Sequence, residues 1–202
     1  TESYAGRTID VDAAATDDVK MKDLVLTKSL GTLTSDAAVV TGNQMTRRFH
    51  VAVAPDTAPG TIVTLTLTAS DEHPTSADTT QSKTITILSD ANPPAVTVNS
   101  PAEGAILLEG AGSKFTVAIT AIDAEVGIKK ATAVVEGVTH TLTLTSPNVF
   151  SKSIDVPNVD GTEDVPKQIT ITAEDYQNNV TTQQVNVLVR PLIDPNAPLL
   201  TW

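Results

Sequence analysis

At four points in the chain a run of alternating apolar residues closes, in phase, on the same three-residue pattern: alanine, any residue, aspartate. The copies are Ala15-Thr16-Asp17, Ala69-Ser70-Asp71, Ala121-Ile122-Asp123 and Ala173-Glu174-Asp175. Ile9, Val11 and Ala13 lead into the first, and Leu65 and Leu67 into the second. Phe115, Val117 and Ile119 lead into the third, and Ile169 and Ile171 into the fourth. Side chains two apart share one face of a strand, so each alanine is the last inward position and each aspartate the next in phase, at the rim. The third copy follows the first by 106 residues (Asp17 to Asp123), and the fourth follows the second by 104 (Asp71 to Asp175). The chain is therefore one unit of about a hundred residues used twice, a usual domain size.

A chain of 202 residues suits one large domain or two of half that length, and the repeat selects two. The expected domains are residues 1–90 and 93–190, with 191–202 as a tail. Apolar residues make up 40% of the chain but aromatics only 3%, so the cores must be built from Val, Ile, Leu and Ala. Threonine and valine dominate, and β-branched residues favour strands. Almost no stretch has the 3.6-residue apolar period of a helix, so the class is all-β.

Thirteen Lys and Arg against 24 Asp and Glu leave a formal charge of −11. That argues against nucleic acid, whose phosphates need clustered cations, and against an anionic membrane surface. There is no cysteine, hence no disulfide framework and no thiolate metal site. No segment approaches the roughly 18 apolar residues of a membrane-spanning helix. No signal peptide is present, and an exported form would carry its address and any envelope tether in sequence N-terminal to Thr1.

In order, strands are expected over 7–15, near Met21–Thr27, around Phe49, Val51 and Val53, over 61–68, and over 84–87. Residues 29–46 are weakly patterned. Pro55-Asp56-Thr57-Ala58-Pro59-Gly60 is a strong loop signal. Ser89-Asp90-Ala91-Asn92-Pro93-Pro94 marks the boundary, because adjacent prolines cannot continue a ladder and stiffen the connection. The second unit predicts strands near 95–99, 114–121, 128–136, 139–145, 150–156, 167–173 and 182–189. Seven short strands in about a hundred residues, separated by turns, predict a two-sheet antiparallel sandwich.

Two asymmetries follow. Twenty-seven residues separate Pro94 from Ala121, whereas 14 precede Ala15, so the first unit is short by about one strand and a turn. Its partner strand should then present unpaired backbone groups along a sheet edge, a template for a strand from another chain. At the other end, Asp194-Pro195-Asn196-Ala197-Pro198 restates Asp90-Ala91-Asn92-Pro93-Pro94 at a spacing of 104, and Leu199-Leu200-Thr201-Trp202 takes the place of a further opening strand. Residues 196–202 have the composition to fill such an edge by intermolecular strand exchange.

The Asp-x-Asn-x-Pro linker, the Ala-x-Asp strand ends and the seven-strand rhythm resemble the tandem immunoglobulin-like and cadherin-like modules of bacterial surface proteins. The resemblance covers nearly the whole chain. It implies two tandem immunoglobulin-like β-sandwiches and a non-catalytic adhesion or spacer role, extracellular or at the bacterial cell surface. The partner would be a protein or a glycan there. The alternative reading is a carbohydrate-binding surface module.

Nucleophilic catalysis needs a Ser or Cys beside a His held by a carboxylate. The three histidines, His50, His73 and His140, lie in or beside strands with no such constellation in sequence, so no enzyme is expected. Phe49, Phe115 and Phe150 are in or near phase with buried positions. That leaves Tyr4 and Tyr176 as the internal exposed aromatics, a poor platform for sugar stacking. The carboxylates are the better candidates. In an immunoglobulin-like sandwich, the turns that follow Asp123 and Asp175 share the pole at which the chain enters. Asp90, Asn92, Asp123 and Asp175 are accordingly the candidate ligands of a weak calcium site, since converging oxygens are what Ca²⁺ requires. No other cofactor is expected. The competing reading is that each aspartate accepts hydrogen bonds from backbone N–H groups of its own turn.

Overall fold

A computed structural model of the chain describes residues 1–73 and 78–192. The tail residues 196–202, to which strand exchange was assigned, lie outside the described residues. The chain forms two compact units, Thr1–Ala91 and Asn92–Trp202. No helix occurs among the described residues, and hence none long and apolar enough to cross a membrane. Both units are immunoglobulin-like β-sandwiches.

Among the described residues the first unit holds eight strands: β1 (Glu2–Ser3), β2 (Thr8–Thr16), β3 (Met21–Lys28), β4 (Thr32–Ser35), β5 (Val39–Thr41), β6 (Gln44–Ala52), β7 (Ile62–Asp71) and β8 (Thr79–Ile87). One sheet has the order β1-β8-β7-β3; the other has β2-β6-β4, with β5 also on β6. Alternation places Leu24 and Leu26 of β3, Phe49 and Val51 of β6, Val63 and Leu65 of β7, and Ile85 and Ile87 of β8 in the buried layer between them. Each such side chain contributes about 1.5–3 kcal/mol through removal from water. Two residues of opening strand are present: Glu2 and Ser3 run parallel to Thr86 and Ile87. Among the described residues β6 is the only strand paired with β2, which therefore edges its sheet.

The second unit comprises β9 (Ala95–Ser100), β10 (Ile106–Leu108), β11 (Lys114–Ile122), β12 (Ile128–Val135), β13 (Val138–Ser146), β14 (Val149–Asp155), β15 (Val165–Asp175) and β16 (Val180–Arg190). These follow the sequence expectation within one or two residues, apart from β10, which is too short to show a period. Ladders run in the order β10-β16-β15-β12-β13-β14-β11-β9. β13 belongs to both layers: its first half pairs with β12 (Val135 opposite Val138) and its second half with β14 (Thr143 opposite Ser151). The core is Phe115, Val117, Ile119 and Ala121 from β11 against Ile169, Ile171 and Ala173 from β15 and Val185 and Val187 from β16. Val96 and Val98 of β9 and Leu107 of β10 pack against it from the side. β9 lies antiparallel to β11, while β10 lies parallel to β16.

Candidate functional site

All four pattern aspartates do the same local work. Asp17 Oδ1 accepts the Val19 N–H at 3.0 Å, and Asp71 Oδ1 accepts the His73 N–H at 2.9 Å. Asp123 Oδ1 accepts three, from Glu125 (3.1 Å), Val126 (2.7 Å) and Gly127 (2.9 Å). Asp175 Oδ1 accepts the N–H groups of Gln177 (2.7 Å) and Asn179 (2.9 Å), and its Oδ2 accepts the Asn179 Nδ2–H at 2.8 Å. The alternating strand delivers a carboxylate to the rim just where the backbone reverses, and the reversal turns its N–H groups inward toward that carboxylate. Asp175 is 0% exposed, and a buried carboxylate is tolerable only with such donors. At Asp17 the Val19 N–H, followed by Asp18, holds the carboxyl below its usual range.

Of the calcium candidates, the structure brings Asp123 and Asp175 together. One carboxylate oxygen of each lies within 4.8 Å of the other, at the rim between β11 and β12 on one side and β15 and β16 on the other. Asp90 lies on the connecting segment, is 5% exposed, and closes the first unit; Asn92 opens the second and is exposed. Neighbouring Glu174 takes Lys129 Nζ at 2.7 Å and Lys130 Nζ at 3.0 Å, and these lysines hold its carboxyl below the usual range. The rim is thus a mixed charge network rather than a bare acidic cup.

Phe49 and Phe115 are buried, Phe150 is half-buried against the core, and the Arg47 guanidinium lies 5.4 Å from the Phe49 ring centroid. Tyr4 and Tyr176 are half-buried, and they sit in different units. His140 is half-buried on β13. His50 has a setting that sequence reasoning missed: Nδ1 lies 2.7 Å from Asp10 Oδ1 and Nε2 lies 3.3 Å from Asp36 Oδ1. Only the ladder registers bring these three together, with Asp10 and Thr34 both opposite His50. The hydrogen bond to Asp10, then that to Asp36, raises the histidine pKa above 6.5.

No protein family matches the chain, and no curated protein sequence matches it. Among solved structures it is similar to the fibronectin(III)-like modules of Clostridium thermocellum CbhA, at 14% identity over 94% of this chain and 89% of that one, with a TM-score of 0.43. The titin pair A168–A169 matches at 9% identity over 93% of each chain, with a TM-score of 0.40. The mouse clustered protocadherin PcdhgC3 EC1-3 matches at 20% identity over 95% of this chain and 64% of that one, with a TM-score of 0.33.

Proposed function

We propose that the chain is a non-catalytic part of a bacterial cell-surface or secreted protein, a tandem immunoglobulin-like spacer that holds a binding element away from the envelope or contributes to adhesion. The observation that carries this reading is the use made of the repeated aspartates. Each is engaged by the N–H groups of its own turn, so the motif that recurs through the chain is a device for closing strands. A module with this chemistry is suited to being copied in series. The charge of −11 serves solubility in such a setting. Surface labelling or protease shaving of intact producing cells tests the location: the epitope should be accessible from outside, and a strictly intracellular signal would overturn the reading.

The carbohydrate-binding alternative needs an aromatic surface, and the buried settings of Phe49 and Phe115 count against it. A glycan array would decide, since clear hits at about micromolar affinity would reverse the order. Calcium is a separate question, favoured by the closeness of Asp123 and Asp175; Asp90 and Asn92 enter the ligand set on the strength of sequence. Turn capping alone predicts the same melt in chelator and in excess Ca²⁺. A bound ion at a hundred times its Kd would add about 2.7 kcal/mol, which is about 10 °C or more for a domain of this size.

A further inference from the structure

The two sandwiches are left open at different places, and in the second unit the opening is a stretch of β14. β13 pairs with β14 only from Thr143, opposite Ser151, onward; its earlier residues lie on β12. Among the described residues no strand lies beside residues 152–155 on that side. Ser151 and Val149 turn their carbonyl oxygens toward β13, where the hydroxyls of Thr143 and Thr145 donate to them at 3.1 and 3.3 Å. Backbone groups alternate in direction along a strand, so Ser153 and Asp155, both exposed, direct their N–H and C=O groups to the open side. Such an edge is a template for a further strand.

The first unit shows what fits there. Its β2–β6 ladder sets Ile9 opposite Val51 and Val11 opposite Phe49. The β11–β14 ladder sets Phe115 opposite Ile154 and Val117 opposite Lys152. Phe115 and Val117 follow Ile9 and Val11 by 106 residues, so Ile154 answers Val51 and Lys152 answers Phe49. In the first unit β4 occupies this side, with Leu33 opposite Val51, Thr34 opposite His50 and Ser35 opposite Phe49. Among the described residues the second unit has no counterpart of β4, because β12 leads through Glu136 and Gly137 straight into β13.

The inward position beside the opening also differs in chemistry. Phe49 is buried, whereas Lys152, in phase with the buried Ile154, is exposed. Lys114, Lys129, Lys130, Lys167 and Arg190 of this unit each pair with a carboxylate, and among the described residues Lys152 pairs with none. A lysine in that phase disfavours an incoming strand with an apolar or basic residue opposite it and favours an acidic one.

We infer that residues 152–155 of β14 accept an extended acidic peptide, added antiparallel, with an apolar side chain facing Ile154 and a carboxylate facing Lys152. The backbone groups of Ser153 and Asp155 supply the pairing, and the two inward side chains supply register and selectivity. Measured against β4, the apolar residue stands where Leu33 stands, and the carboxylate where Ser35 does. The place of Asp36, whose N–H donates to the Arg48 carbonyl at 2.9 Å, is filled here by Thr143. The peptide therefore ends at its acidic residue or bends away from the sheet. On the outer face Lys114 already offsets the charge of Asp155. This inference goes beyond the spacer reading and does not rest on it.

The probe is a synthetic peptide of residues 29–35 carrying Ser35→Asp, titrated into the isotope-labelled full chain. Between about 0.1 and about 10 mM peptide, amide shifts should appear at residues 152–156 and approach saturation. Lys152→Ala, at an exposed position, should weaken binding about threefold. Lys152→Glu should reverse the preference, taking a Ser35→Lys peptide over the Ser35→Asp one. Unshifted amides at 152–156 in the intact chain, shifts confined to β2, or an unreversed preference in Lys152→Glu would each overturn the inference. So would a peptide-free chain that dimerises through these same amides on concentration, since a second copy would then be the occupant. Surface labelling of cells bears on location alone, and its outcome leaves this test unaffected.

Discussion

At the scale of the residue, one side chain type closes four turns. Asp17 and Asp71 accept the N–H groups of Val19 and His73, and Asp123 and Asp175 take three donors each. Replacing Asp175 by alanine takes from the N–H groups of Gln177 and Asn179 their shared buried acceptor, in a turn that is itself half-buried. The expected loss is about 3 kcal/mol of the second unit's stability by denaturant titration. Asp175→Asn keeps an acceptor at Oδ1 and should lose visibly less, and Asp17→Ala, at an exposed turn, should fall within the scatter of surface substitutions. His50 makes the first unit sensitive to pH. A neutral imidazole has one N–H and can donate to only one of Asp10 and Asp36, while the imidazolium donates to both. Its folded pKa is raised above 6.5, so this contribution is fully present below pH 6.5 and is lost as pH rises through the raised value. Melting curves should show the first unit weakening over that window, and His50→Gln should flatten the dependence.

At the scale of the element, turns and sheet crossings decide where strands go. The β12–β13 hairpin turns on Glu136 and Gly137 with φ of 51° and 76°, the left-handed pair of a type I′ turn that matches strand twist. The β3–β4 turn uses Gly31 at φ 90°, where a Cβ would lie 2.6 Å from the Ala52 carbonyl oxygen. A Cβ at Gly137 would meet nothing within 4 Å. Both Gly→Ala changes carry the left-handed penalty of about 1 kcal/mol, but only Gly31→Ala adds a backbone clash. The expected costs are about 1 kcal/mol at Gly137 and about 3 kcal/mol at Gly31, read from equilibrium unfolding.

At the scale of the whole molecule, the two units differ in how completely they close. Cover by β9 and β10 makes the second unit's interior continuous with its edges, whereas the first unit keeps an open flank along β2. Opening free energies follow local burial. In native-state hydrogen exchange at low concentration, the amides of Val117 and Ile171 should therefore outlast those of Val11 and Leu67. Equal protection at these pairs would mean that the open flank has no energetic consequence.

Much of this architecture was legible because it is local. Period-two alternation with β-branched residues located the strands of the second unit within a residue or two, since strand period is written in neighbouring residues. The aspartate caps were legible for the same reason, as each acts on N–H groups two to four residues away. Everything that joins distant segments was left to the tertiary structure. β10 and β1 are three and two residues long and carry no period, so only pairing with β16 and β8 defines them. The sharing of β13 between both layers follows from register. The meeting of His50 with Asp10 and Asp36 depends on two ladders crossing one residue. The alternation by itself determined which residues face inward and where the chain turns. Which inward faces are actually covered was decided by whether a strand lies along the neighbouring edge, and burial is a property of that neighbour rather than of the residue's own sequence.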